Sequence, residues 1–392
     1  MKTTNGKTTT NLEVKNLEVV NSIEQLPQEK TPRKTANKQN KAVSVSLDLD
    51  AGSSRAKFLI NDWCGNYPSI FKEVSGELPS GISGCFSIGN KNYAVGRVTN
   101  SLNGTVVEAF KDNKIKYLHI WLIGALCNHP DLLTDIANER KYKGKPARIK
   151  LSLRLLSLSS SKKNDIPKIL AGTKFFTYEG CEYEIEITNI SDDKYLLPEG
   201  YGAALEAIKL IPNGCYEFHI LDLGGGTLTF SSYLVGKKPK SIEQTAGSGN
   251  GMKAIIERLS IALARTDRGG IQYKKENLES ALRNSKAIGN GMHSVRYRHG
   301  IETLEIGDTV NHALSEWVAE MPIVENLLTK VSQALLNGSP VFATGGGMAV
   351  SVIADWIKQY CCIDIDAPQY TILSNPQDIN LTGLQLLNSD KI

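Results

Sequence analysis

The strongest constraint on what this chain can fold into is a short turn that occurs twice, about a domain's length apart. The first copy is Asp50-Ala51-Gly52-Ser53-Ser54-Arg55-Ala56-Lys57 and the second is Asp222-Leu223-Gly224-Gly225-Gly226-Thr227. Each follows a strand-like run and leads into another. Each places an acid at a strand end, then small residues whose bare backbone allows a close approach. The N–H groups of such a turn point into the bend and make an anion-binding concavity. Two of them facing each other grip a polyphosphate from both sides, which leaves the two carboxylates available to a phosphate-bound magnesium ion.

With 392 residues, the chain is long enough for two or three domain-sized units with ample core. Its net charge of +4 is too small to make the folded body a nucleic-acid binder by electrostatics alone. The seven cysteines are scattered, odd in number and contain no CxxC pair. That pattern fits reduced thiols and a cytoplasmic location better than a disulfide framework or a zinc site. The adjacent Cys361 and Cys362 are expected at the end of a helix and its exit. Residues 1–20 lack the apolar segment of a signal peptide. The longest apolar stretch, Tyr117 to Cys127, falls short of the roughly 20 residues a membrane helix needs, and reads as a buried helix.

Residues 1–42 are rich in Thr, Asn, Lys and Gln, and are expected to be disordered. Within them Asn11-Leu12-Glu13-Val14 recurs as Asn16-Leu17-Glu18-Val19, either chance in a biased tail or a docking motif. Lys30 to Lys41 is basic and reads as a solvated spacer rather than as a contact for DNA or acidic partners. From Val43, apolar Val43, Val45, Leu47 and Leu49 alternate with Ser44, Ser46, Asp48 and Asp50, the period of a strand. Residues 65–105 are rich in Gly and Ser and read as a small inserted subdomain. Ala147 to Leu158 reads as a strand, and 175–187 as a hairpin turning at Glu179-Gly180. Asp308 to Leu336 is helical, interrupted near Pro322. Val341 to Thr344 is a buried strand entering Gly345-Gly346-Gly347 and a helix at Val350 to Tyr360. Strands alternating with helices imply an α/β fold with largely parallel sheets.

Each turn carries definite chemistry. Asp50 can orient a metal-bound water, Ser53, Ser54 and the amides after Gly52 can donate to a phosphate, and Lys57 can reach phosphate oxygens as a point charge. Its alternative is an ordinary hairpin. Asp48 also lies on this strand, but spacing to Gly52 favours Asp50. The second turn is more specific, because Gly224, Gly225 and Gly226 directly follow an acid on an apolar strand, which a flexible loop does not explain. Gly345, Gly346 and Gly347 sit at a strand-to-helix junction, where bare backbone either packs against a nucleotide or only makes a tight turn. No Walker A loop and no HExxH pattern occur. Pro198-Glu199-Gly200 precedes a helix. Glu199 there is either a carboxylate favoured by the helix dipole or, in a cleft, one that orients an attacking water.

Taken in order, these motifs resemble the actin/sugar-kinase/heat-shock ATPase superfamily over about residues 43–387. Three details are similar to the ParM/StbA-type plasmid-segregation actins: Pro198-Glu199-Gly200-Tyr201-Gly202-Ala203-Ala204, the segment Leu278-Glu279-Ser280-Ala281-Leu282-Arg283, and Asn375-Pro376-Gln377 with Asn380 and Gly383. The resemblance implies an actin-like fold of two duplicated βα domains, each with a smaller inserted subdomain and with a nucleotide cleft between them. Domain I would span 43–197 with its insert near 65–105 and with 375–392 returning to it. Domain II would span 198–374 with an insert near 245–305. It implies ATP, or GTP, with Mg²⁺ in the cleft, head-to-tail self-assembly into filaments, and a DNA-binding adaptor protein on a plasmid as partner. No membrane and no direct sequence-specific nucleic-acid binding are expected. Carried over by residue, Asp50, Gly52, Ser53, Ser54 and Lys57, with Asp222, Gly224, Gly225, Gly226 and Thr227, would hold phosphates. Asp50 and Asp222 would hold the metal through water. Gly345 to Gly347 would face the adenosine, and Glu199 would position water. The rival reading on the same fold is a small-molecule kinase, but no Asp stands out as its catalytic base.

Overall fold

The computed structural model describes residues 42–109, 113–139, 145–156, 158, 164–171, 173–190, 195–266, 273–289, 291–362 and 369–388. The repeated Asn-Leu-Glu-Val motif and the basic stretch before Val43 lie outside the described residues.

Alternating apolar residues build the first sheet. Its strands are β1 (Val43–Ala51), β2 (Arg55–Ile60), β3 (Trp63–Pro68), β4 (Ile70–Val74), β5 (Cys85–Ile88), β6 (Lys91–Val95), β7 (Val106–Glu108), β8 (Ala147–Leu156), β9 (Phe175–Tyr178) and β10 (Cys181–Ile187). They lie in the order β3-β2-β1-β8-β10-β9-β5-β6-β4-β7. Residues 65–105 thus contribute strands that continue this sheet through β5, which meets β9 at Ser87 and Thr177. Val45, Leu47, Leu49 and Ala51 on one face of β1 pack with the apolar helix α2 (Leu118–Asn128), the expected buried helix. The short helices α1 (Asn113–Lys116), α3 (Leu132–Glu139) and α4 (Ile166–Ala171) complete this part of the molecule.

After α5 (Tyr201–Ala207), the second sheet is built from β11 (Glu217–Leu223), β12 (Thr227–Leu234), β13 (Lys240–Ser248), β18 (Val341–Thr344) and β19 (Tyr370–Ile372). Its order is β13-β12-β11-β18-β19. Between β13 and β18 come α6 (Met252–Thr266), α7 (Lys275–Arg283), the hairpins β14 (Lys286–Gly289) with β15 (Met292–Ser294) and β16 (Arg296–His299) with β17 (Glu302–Glu305), then α8 (Gly307–Ala319) and α9 (Pro322–Leu336). Pro322 opens α9, where its missing N–H costs nothing. The chain continues through α10 (Ser351–Cys361), whose C-cap is Cys362, and ends at α11 (Ile379–Leu384).

The sheets are mixed, which corrects the expectation of largely parallel ones. Only the pairs β1–β8, β8–β10, β11–β18 and β18–β19 run parallel; the remaining pairs of the two sheets are antiparallel. The repeated turn is itself the reason. A connection of a few residues can join only antiparallel strands, whereas parallel ones need a long crossover.

β11 is apolar on both faces because both are covered. Leu221 and Leu223 join the core formed by α6, α8, α9 and α10, whereas Phe218 and Ile220 pack with Ala203, Ala204 and Ala207 of α5. Helix α11 in turn packs on α5 and reaches β1 and β2. The two helices cross at glycines: a Cβ on Gly202 would sit 1.8 Å from the Asn380 carbonyl oxygen, and one on Gly383 would sit 2.0 Å from that of Gly202. The α5–α11 pair therefore joins the two sheets at a crossing too close for any side chain.

Candidate functional site

The β1–β2 and β11–β12 turns open onto one cleft of about 500 Å³. In the first hairpin Asp50 pairs directly with Lys57 across the strands. Their side chains are 3.9 Å apart, and the Lys57 ammonium also donates to the Gln377 carbonyl. The Gly52 N–H donates to the Asp50 carbonyl at 2.9 Å, and Ser69 Oγ donates to the Gly52 carbonyl at 2.6 Å, which fixes the bend. Asp48, two residues earlier on the same face, has both carboxylate oxygens engaged by the Arg154 guanidinium, at 2.6 Å each. It is absent from the cleft lining.

The second turn rests on the start of α6. The Met252 and Lys253 amides donate to the Gly224 and Gly225 carbonyls at 3.0 and 2.9 Å. Gly251 lies so close that a Cβ there would meet the Gly224 oxygen and the Thr227 nitrogen, each at 2.5 Å. The two turns also meet each other, because a Cβ on Gly225 would fall 2.0 Å from Ser54 Oγ. Bare backbone at Gly225 is what lets the turns approach.

Three carboxylates converge between them. Asp222 is buried at the end of β11, and its Oδ2 accepts from Asn380 Nδ2 at 2.8 Å. Asn380 uses its other end to accept the Ala203 N–H at 3.1 Å, which ties the β11 acid to the α5–α11 crossing. Glu199 precedes Gly200, whose φ of +80° turns the chain into α5. Its Oε2 accepts from Thr229 Oγ1 at 3.2 Å, and its backbone carbonyl accepts from Tyr233 and Gln244. Burial, then the Glu199 charge, pushes the Asp222 carboxyl up to about 7, against the Asn380 hydrogen bond and the Lys57 charge, which pull it down. Burial also raises Glu199, with Lys114 acting in the opposite direction.

The lining includes Asp50, Gly52, Ser53, Ser54, Lys57, Glu199, Asp222, Gly224, Gly225, Gly226, Thr227, Gly345 and Gly346. Gly345 has a φ of +96°, and a Cβ there would lie 2.3 Å from Asp222 Oδ1. Nothing lies within 4 Å of where a Cβ on Gly346 would be, so that residue leaves open space. Gly347 is outside the lining and packs its bare Cα against Leu223 and Met252.

Sequence reasoning assigned no role to several residues that also line the cleft: Lys114, Lys253, Glu276, Gln377 and Asn380, together with Glu279 and Arg283 of α7. Asn380, Gln377, Glu279 and Arg283 lie in segments whose family likeness was visible, but Lys114, Lys253 and Glu276 carry no local signal. Lys253 of α6 pairs across the cleft with Glu108 of β7 at 2.8 Å.

Buried acids with little compensating charge are costly unless a cation or a proton joins them. Oxygen donors of this kind suit a hard cation that keeps several waters. Among the described residues, no three or more His, Cys, Asp or Glu side chains are grouped as a metal site. Asp50 and Asp222 offer oxygen donors that could hold such a cation together with its waters. No helix among the described residues is long and apolar enough to cross a membrane.

No family model matches the chain, and no curated protein matches it. Solved structures do, and they share the actin-like fold. The chain is similar to a non-polymerisable quadruple mutant of pCBH ParM, with 15% identity and a TM-score of 0.59 over 88% of this chain and 99% of that one. It is similar to Ta0583, an archaeal actin homologue, with 16% identity and a TM-score of 0.61 over 88% and 98% of the two chains. The same homologue is also matched in complex with ADP, at a TM-score of 0.53. A 15-stranded ParM filament from Clostridium botulinum matches with 14% identity and a TM-score of 0.54, over 88% and 98%.

Proposed function

We propose that this actin-like chain is a filament-forming ATPase that binds a nucleoside triphosphate with Mg²⁺ in its cleft. In this reading it drives plasmid DNA segregation in the cytoplasm through a DNA-binding adaptor protein. The observation that carries the reading is the meeting of the two glycine turns across a cleft that also holds Asp50, Asp222 and Glu199. The ADP complex of the archaeal homologue and the filament of the Clostridium botulinum ParM support the nucleotide and the assembly respectively.

In this reading the amides of 52–54 and 224–227 cradle the β- and γ-phosphates, with Lys57 as the point charge beside them. Asp50 and Asp222 would hold Mg²⁺ through water, and the ion would supply neutralisation of phosphate charge. Asn380 fixes the Asp222 rotamer, and Gly345 and Gly346 leave room for the nucleoside. Glu199, oriented by Thr229, accepts a hydrogen bond from the attacking water and aligns it with the γ-phosphate; such a residue acts mainly in the transition state. Domain I then spans 43–197 with 375–392, and domain II spans 198–374.

Sedimentation and negative-stain imaging of the purified protein, with and without ATP·Mg²⁺ or GTP·Mg²⁺, test the proposal. Filaments that pellet only with a triphosphate are expected. A protein that binds nucleotide yet stays monomeric at high concentration, while phosphorylating a small molecule, would replace it with the kinase reading.

A further inference from the structure

Helix α7 has two working faces. Glu276, Glu279 and Arg283 line the cleft. On another face, Asn277, Ser280, Ala281 and Asn284 line a second, open cavity of about 420 Å³, which Arg296, Arg298 and Gly300 of the β16–β17 hairpin also line. The spacing i, i+3, i+4, i+7 is that of one helix face. Arg296 and Arg298 point the same way because they flank Tyr297, which is buried against Tyr273.

The cavity is built for negative charge. Arg298 Nε donates to the Gly300 carbonyl at 3.3 Å, and no carboxylate pairs with it among the described residues. Arg296 stands 3.8 Å from Glu305, but that carboxylate already accepts from Ser294 Oγ at 2.6 Å and from the Val295 N–H at 2.7 Å. The Arg296 side chain is 76% exposed. Across from the guanidinium groups stand a hydroxyl and two amides, with Asn284 steadied by its Nδ2 hydrogen bond to the Ser280 carbonyl at 2.8 Å. Two planar guanidinium forks about two strand residues apart match adjacent anionic groups, as in a diphosphate, better than a single carboxylate does.

We propose that this cavity is a second binding site, outside the cleft, for a small phosphate-bearing ligand with two adjacent anionic groups. Arg296 and Arg298 supply the charge-assisted hydrogen bonds, and Asn277 and Ser280 supply the neutral donors.

The test uses the full chain with its cleft saturated by ADP·Mg²⁺, and inorganic pyrophosphate as the probe in calorimetric titration. One equivalent is expected to bind saturably and to weaken as salt rises. Arg296→Ala with Arg298→Ala should lower the affinity at least tenfold while leaving ADP affinity and the thermal melt unchanged, since both side chains are exposed. Arg298→Ala alone should lower it severalfold. Arg296→Lys with Arg298→Lys should fall between the wild-type and double-alanine proteins, because charge is kept and the fork is lost. Equal pyrophosphate affinity in the wild-type and double-alanine proteins would overturn the site, as would the absence of saturable binding to the wild type.

Discussion

Glu199 and Asp222 are both carboxylates raised by burial, but they are held differently, and the difference divides their expected roles. Among the described residues, the Glu199 carboxylate accepts from a side-chain hydroxyl, that of Thr229, which leaves it able to orient a water. Glu199→Gln should therefore bind nucleotide and assemble normally, yet hydrolyse slower by on the order of 10²–10⁴. Phosphate release at the wild-type rate from the folded variant would remove Glu199 from the mechanism. Asp222 is tied to Asn380, and its carboxyl is held up at about 7. A folded-state value above the ordinary carboxylate one means stability contributed at low pH and lost as the pH rises through about 7. A magnesium-nucleotide complex has the opposite preference, because it needs the charged carboxylate. Its affinity should rise from pH 6 to pH 8 by up to about tenfold per unit below the midpoint, with Glu199 sharing the slope. Asp222→Asn should weaken binding and flatten that slope; an unchanged profile would take Asp222 out of the site. At this scale the sequence was partly legible. Spacing to Gly52 separated Asp50 from Asp48, but the cause, an Arg154 pairing brought in by the parallel register of β1 and β8, was not visible locally.

Among the elements, the two hairpins were legible because an acid, small turn residues and alternating apolar flanks all point to the same local structure. The 175–187 hairpin, the buried α2 and the break at Pro322 were legible for the same reason. The strand pairing was less so, since periodicity reports burial and not direction. Hidden altogether was the crossing of α5 and α11, where Gly202 and Gly383 touch although they lie 181 positions apart in the chain. That contact is expected to be sensitive. Gly202→Ala and Gly383→Ala should each destabilise the protein by about 1–3 kcal/mol, the usual range for overpacking. They should also weaken nucleotide binding by displacing Asn380 from Asp222. Chemical denaturation beside nucleotide titration reads both effects, and two alanine variants of wild-type stability would show that the crossing yields easily.

For the molecule as a whole, the cleft is a junction of parts far apart in sequence. One wall comes from the first sheet and the other from the second; the α5–α11 crossing connects the two sheets, and the Lys253–Glu108 pair bridges the cleft. On the proposed function, a ligand held by both walls would stabilise a closed arrangement over an open one, and losing the γ-phosphate would remove part of that hold. Hydrolysis in the cleft would then be felt at surfaces where copies of the chain meet, and a head-to-tail assembly that never closes on itself would be nucleotide-dependent. On the proposed function, hydrolysis and assembly are one coupled process. Phosphate release and light scattering followed in the same ATP·Mg²⁺ sample, over a series of protein concentrations, test it most directly. Both signals should stay near baseline below a common critical concentration and rise together above it, with scattering decaying as the triphosphate is consumed. Phosphate release proportional to protein at every concentration, with flat scattering throughout, would contradict the account.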